Sequence, residues 1–215
     1  MEQGGRDQTP DFALSYLLFR SFVCQGKRGF VLPVSCLCSI MMPMIHEQRS
    51  LNMIEIKETT TEDLKNVQRL WADGDVMRFV GFPDGLHETY EALEVWLEGL
   101  NAERPTSNHF SIYEDGKYCG ETGYGVDREF GSAWLDIKLL DFARGRGIAT
   151  QALSYAIEKA VENGAKTLWV DPNPQNAKAI ALYKRMGFIQ KKMPEHVIAM
   201  GEDPATNIYF ELCKE

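Results

Sequence analysis

The sequence predicts an α+β (mixed α/β) domain, a mostly antiparallel central sheet flanked by helices, over residues 53–215. Three observations carry this. Short alternating runs mark strands at Ile54–Glu58, His109–Glu114, Tyr118–Val126, Trp134–Leu140 and Asn207–Lys214. Helical periods of 3.6 separate some of them. A strand, a glycine-containing loop, a helix and a second strand then follow one another between Trp134 and Asp171, the order of a βαβ crossover.

In chain order, Ile54–Glu58 opens the domain as a strand. A helix capped around Thr60 or Thr61 follows, with Glu62 and Asp63 in its first turn and Val67, Leu70, Trp71 and Leu64 on its apolar face. Val76–Leu86 is irregular and contains Gly81, Pro83 and Gly85, and a second helix covers Glu88–Leu100. Asp115-Gly116 turns the chain between two strands. After the strand at Trp134–Leu140, the residues Ala149, Ala152, Leu153, Ala156, Ile157, Ala160 and Val161 form the stripe of a helix packed on a sheet, which Asn163-Gly164 ends. Lys166–Asp171 is a strand, Asp171–Asn176 a turn and Ala177–Met186 a short helix closed by Gly187-Phe188.

Bulk numbers exclude several classes. A chain of 215 residues with net charge −8 and no basic stripe is not read as a nucleic-acid binder, and its charge favours a cationic partner. The five cysteines form no CxxC pair and the four histidines are scattered, so reduced thiols in a cytoplasmic protein without a metal site are expected. Residues 1–52 carry net charge +1 and residues 53–215 carry −9. The leader's apolar stretches, Phe12–Phe19 and Phe30–Ile45, are too broken for a membrane span of about 20 residues and fit a secretory signal poorly. Residues 1–52 are therefore expected to be a poorly structured, mis-started leader, with Met53 as the natural start, and no membrane partner is expected.

The chemistry concentrates at Arg144-Gly145-Arg146-Gly147-Ile148-Ala149, with Thr150 next on the helix. A loop entering a helix presents free backbone N–H groups and the positive end of the helix dipole, a setting for a phosphate or pyrophosphate. Neither the P-loop spacing nor Gly-x-Gly-x-x-Gly is met, but Arg/Gln-x-x-Gly-x-Gly/Ala is. Further on stands Asn-x-x-Ala-x-x-x-Tyr-x-x-x-Gly-Phe, with Asn176, Ala179, Tyr183, Gly187 and Phe188. Asn176 and Tyr183 lie seven residues apart, about two helical turns, and share a face. Taken singly, Asn176 also suits an N-cap, Tyr183 a core position and Gly187 a C-cap.

With both segments the chain resembles the GCN5-related N-acetyltransferase superfamily over residues 53–215, its motifs falling within 136–188. The resemblance implies acetyl-CoA as co-substrate, with its pyrophosphate held at Arg144–Thr150 and its pantetheine arm near Asn176. It further implies a backbone N–H near Leu139 polarising the thioester carbonyl and the Tyr183 hydroxyl protonating the departing sulfur. No metal and no covalent acyl-enzyme are required. Asp136, eight residues before Arg144 and opposite in parity to Leu135, Ile137 and Leu139, is the expected proton acceptor, with Glu121 next in line.

The acceptor is expected to be a primary amine, of a small molecule or a peptide or protein N-terminus, bound by a monomer or homodimer. Aminoglycoside 6′-N-acetyltransferases carry an acidic residue at a spacing similar to Asp136 and a turn similar to Asp171–Asn176. Asp75–Phe82 is similar to the branch that acetylates ribosomal-protein N-termini. Tyr113, Tyr124 and Trp134 suit either an acceptor cleft or the core. A catalytically idle acyl-CoA-binding or sensing module on the same fold is the alternative. An intact Tyr183 and a carboxylate at Asp136 favour the enzyme.

Overall fold

The computed structural model describes residues 53–214. The leader, including Cys24, Cys36, Cys38 and His46, lies outside them. Seven strands form one sheet in the order β1-β2-β3-β4-β5-β7-β6. They are β1 Ile54–Glu58, β2 Ser107–Glu114, β3 Lys117–Asp127, β4 Ser132–Leu139, β5 Thr167–Val170, β6 Ile189–Gln190 and β7 Phe210–Cys213. Every neighbouring pair is antiparallel except β4 and β5, which the α-helical crossover makes parallel.

The helices are α1 Leu64–Trp71, α2 Gly74–Met77, α3 Tyr90–Glu103, α4 Ile148–Glu162, α5 Ala177–Arg185 and α6 Glu195–Ala199. A single 3₁₀ turn, Thr61–Asp63, precedes α1, and the Thr60 N–H donates to the Asp63 carboxylate at 2.9 Å, which starts the helix where the sequence predicts. The second long helix begins two residues later than expected because Thr89 is its cap, its hydroxyl accepting from the Ala92 N–H at 3.1 Å.

The pleat divides the core. Phe110 and Ile112 of β2, Tyr124 and Val126 of β3, and Leu135 and Leu139 of β4 face α4, which buries Ile148, Ala152, Leu153, Ala156, Ile157 and Ala160 against them. Val161, expected on that stripe, is 38 % exposed because it stands one position past Ala160, on the outer side of the helix. Trp71 of α1 and Trp96 of α3 pack on the opposite face, with Trp96 edge-on to His109 at 4.9 Å. Helices α2 and α6 and strand β6 are too short to leave a periodic signal in the sequence.

Pairing between β4 and β5 stops early. Ser132, Ala133 and Trp134 face Thr167, Leu168 and Trp169, whereas β4 runs on to Leu139. From Leu135 onward β4 remains paired with β3 alone, and the two parallel strands separate. This opening positions the site.

Candidate active site

The chain leaves β4 through Leu140, whose N–H donates to the Cys119 carbonyl at 2.9 Å, then makes one 3₁₀ turn over Asp141–Ala143. Gly145 (φ 73°) and Gly147 (φ 84°) both adopt left-handed backbone, which a side chain strains. Gly147 is the N-cap of α4, so no side chain covers the first N–H groups of Ile148, Ala149 and Thr150. A Cβ added at either glycine would meet nothing within 4 Å. The loop therefore offers a row of backbone donors and the helix dipole to open space, and burial of Ile148 and Ala152 anchors the helix start behind it.

The two loop arginines behave differently. Arg144 turns back to β4, its Nε donating to the Leu139 carbonyl at 3.0 Å, with Asp141 at 3.6 Å. Arg146 forks onto Glu114 at the end of β2, with contacts of 2.5 and 2.7 Å. That tie fixes the loop against the sheet.

A cleft of about 370 Å³ opens where β4 and β5 part. Ile137, Leu139, Arg144 and Asn176 line it on the loop side, so the structure brings together three of the residues that the sequence singles out. Asn176 also caps α5, its side-chain oxygen accepting from the Ala179 N–H at 3.2 Å, so the capping and site positions coincide. Residues of α2 and its following turn, Asp75, Val76, Arg78, Phe79 and Val80, complete the lining, all within the Asp75–Phe82 stretch noted above.

Tyr183, two turns beyond Asn176, is 7 % exposed and packs against Phe188 at 5.8 Å between ring centres. It is not among the residues that line the cleft. Tyr113, Tyr124 and Trp134 also stay out of the lining. The Tyr113 hydroxyl donates to the Asp63 carboxylate, that of Tyr124 donates to the Pro105 carbonyl at 2.8 Å, and the Trp134 indole lies over Gly125.

The carboxylates sit in one charged array that sequence reasoning missed. Glu121 and Lys138 are direct cross-strand partners, while His109 and Asp136 are the register partners of Gly123 on either side. The Lys138 ammonium bonds the Asp136 carboxylate and stands 3.2 Å from Glu121 Oε1, which also accepts from Trp71 Nε1 at 2.9 Å. His109 Nε2 is 3.3 Å from the other Glu121 oxygen. Burial pushes the Glu121 carboxyl up, but Lys138 first, then His109 and the Trp71 N–H, outweigh it and hold it at about 2. Lys138 is likewise pushed down by burial and held above the ordinary lysine value by Asp136 and Glu121.

Glu121 is thus fully buried and ionised, not the surface carboxylate that its residue type suggests. Asp136 lies outside the cleft lining, with Oδ1 accepting the Ile137 N–H at 2.9 Å and Oδ2 on Lys138, yet its side chain keeps 30 % exposure. Lys138 lines the cleft itself. Its parity with Asp136 was legible, but its second carboxylate, Glu121, depends on the register of β3 against β4.

Among the described residues, Cys119 and Cys213 are free thiols, no metal-binding group of His, Cys, Asp or Glu gathers, and no helix is long and apolar enough to cross a membrane.

A sheet whose parallel pair splays beside a glycine-rich helix entry defines the acyl-CoA N-acyltransferase class. Residues 66–188 match the model of the Acetyltransferase (GNAT) family, and the chain belongs to that family. It is 42 % identical over 98 residues to streptothricin acetyltransferase of Streptomyces lavendulae, a match covering 42 % of this chain and 49 % of that protein. The matches to curated relatives span at most about half of those proteins' length. Among solved structures, ribosomal-protein-alanine N-acetyltransferase from Brucella melitensis superposes with a TM-score of 0.59 at 24 % identity, covering 74 % of this chain and 99 % of that one. Spermidine N-acetyltransferase from Vibrio cholerae, in complex with CoA and spermine, gives 0.61 at 15 % identity, covering 74 % and 95 %. At these identities the structural likeness speaks for the fold.

Proposed function

We propose that this protein is an N-acetyltransferase that moves the acetyl group of acetyl-CoA to a primary amine by direct attack in a ternary complex. The observation that carries the reading is the cleft where β4 and β5 part, lined by Leu139, by Arg144 at the start of the loop and by Asn176. Its parts fit acetyl-CoA. The open space above Gly145 and Gly147 suits a pyrophosphate at the α4 N-terminus, and Arg144 and Lys178 add positive charge along the cleft. Family membership and the CoA in the solved spermidine enzyme of the same fold support the donor.

In this reading the thioester supplies an activated acyl carbon. Bound acceptor and donor are held in one cleft, which removes much of the entropic cost of their encounter. The amine nitrogen bonds to the acyl carbon, the carbon–sulfur bond breaks, and the thiolate takes a proton. A backbone N–H near Leu139, on the stretch of β4 that has lost its β5 partner, polarises the carbonyl. Tyr183 is assigned as the donor to sulfur on the motif resemblance alone, since the cleft lining includes Asn176 but not the buried Tyr183. The amine's proton goes through water to Asp136, the more exposed of the two carboxylates on Lys138.

An intact Tyr183 and the Asp136 carboxylate favour this reading over an idle acyl-CoA-binding module. The test is acetyl-CoA-dependent thiol release by the purified chain across a panel of amines, peptides and aminoglycosides. Turnover of at least one acceptor is expected. Tight acetyl-CoA binding with no release on any acceptor would favour the idle module.

A further inference from the structure

Antiparallel pairing fixes which way the end of β4 turns its backbone. The Leu140 N–H donates to the Cys119 carbonyl on β3, and successive residues of such a strand alternate between groups turned to that neighbour and groups turned away. Leu139 and, two residues back, Ile137 therefore point their N–H and C=O away from β3, to the side that β5 occupies as far as Trp134. Gly131, of the same parity, confirms the direction, since its carbonyl accepts from the Lys166 and Thr167 N–H groups at 2.8 and 3.2 Å. Past Trp134 the β5 ladder has ended, and Ile137 and Leu139 line the cleft instead. Two side chains take up half of the backbone groups on this edge. Asp136 Oδ1 accepts from the Ile137 N–H at 2.9 Å, and Arg144 Nε donates to the Leu139 carbonyl at 3.0 Å. Of the two N–H groups that Ile137 and Leu139 turn to the cleft, the one at Leu139 is left for a ligand.

We propose that Arg144 is a positioning residue for acetyl transfer, whose Nε clamps the Leu139 carbonyl so that the N–H of the same residue stays aimed at the thioester carbonyl. This rests on the acetyltransferase reading, in which a backbone N–H near Leu139 polarises that carbonyl. Leu139 is the last residue of β4, and beyond Leu140 the chain leaves the sheet for the 3₁₀ turn at Asp141–Ala143. A strand end that has lost one neighbour keeps fewer hydrogen bonds to hold its peptide planes. Donors that stabilise developing charge must be aimed before the reaction, and a misplacement of about 1 Å can cost about 10²-fold in rate. Arg144 supplies the missing bond from five residues further on, at the point where the chain enters the glycine loop. Its side chain is partly buried, which limits competition from water, and Asp141 at 3.6 Å offsets its charge. The clamp needs an N–H at the Nε position and not the charge, which belongs to donor binding.

The experiment compares Arg144→Gln with Arg144→Met in the full chain. Both remove the charge and have nearly the same length, but glutamine keeps an N–H as many bonds from the backbone as Arg144 Nε, and methionine has none. Calorimetry with acetyl-CoA gives the affinity and the fraction of binding-competent chains, and kcat on the best acceptor of the panel above is expressed per competent chain. The infrared band of acetyl-CoA labelled with carbon-13 at the acetyl carbonyl reads the polarisation directly and needs no acceptor. The two variants are expected to bind acetyl-CoA within about threefold of each other, with kcat of Arg144→Met about tenfold or more below that of Arg144→Gln. The bound carbonyl band should sit below its position in water for wild type and Arg144→Gln and return towards that position in Arg144→Met. If Arg144→Met does not fold, Arg144→Leu takes its place. Equal kcat and the same band in the two variants, or a difference confined to affinity, overturns the proposal and leaves the donor assignment standing. Absence of acetyl-CoA binding by wild type removes both.

Discussion

Replacing Glu121 by Gln tests whether the array behind the cleft holds the domain together. The amide can still accept from Trp71 Nε1 but no longer balances the Lys138 ammonium, which stands 3.2 Å away with both side chains buried. The Glu121 carboxyl sits at about 2 in the folded protein, against about 4.3 for an unperturbed glutamate. Slightly more than two units, at about 1.4 kcal/mol each, amount to about 3 kcal/mol, within the range for breaking a buried ion pair. Because the folded value is the lower one, this stability is fully present above about pH 4.5 and is lost as the pH falls through about 2. Urea denaturation of wild type and Glu121→Gln should therefore differ by about 3 kcal/mol at pH 7, with the gap closing steadily between pH 5 and pH 2. A gap under about 1 kcal/mol at pH 7, or one that stays constant with pH, would refute the reasoning.

Tyr183→Phe should lower turnover at least about tenfold while acetyl-CoA affinity stays within a few-fold, as calorimetry beside steady-state kinetics would show; unchanged turnover would remove the tyrosine from the chemistry. Asp136→Asn should depress the rate most at the acidic end of a pH–rate profile, where most acceptor amine is protonated, and a uniform loss across pH would point to its hold on Lys138 instead. A chain starting at Met53 should keep its melting temperature within about 4 °C of the full chain, because the Met53 backbone bonds Asp115 at the end of the β1–β2 ladder. A larger drop would make residues 1–52 part of the fold.

The local geometry of the candidate site could be read before the structure, because its determinants are local. The glycines at 145 and 147 mark left-handed backbone, the stripe from Ala152 to Ala160 marks a helix against a sheet, and Asn176 sits where a cap must. What sequence could not show depends on register. Leu135–Leu139 has the composition of a fully paired strand, and only its pairing with β5, which ends at Trp134, shows the opening. Parity correctly separates Asp136 from Leu135, Ile137 and Leu139. Whether the Lys138 beside it also meets Glu121 depends on how β3 lies against β4. For the same reason Glu121, a polar residue in a glycine-rich strand, reads as exposed in the sequence and is buried in the fold.

The central claim is that the loop before α4 holds acetyl-CoA, and titration calorimetry of the full chain, wild type against Gly147→Asp, tests it most directly. The substitution places a carboxylate at a position with φ 84° and open space in front, where the pyrophosphate is assigned. The account predicts one acetyl-CoA per chain for wild type and no measurable binding for the variant, with the circular dichroism spectrum of the fold retained. Equal affinity in the two proteins, or no binding by wild type, would contradict it.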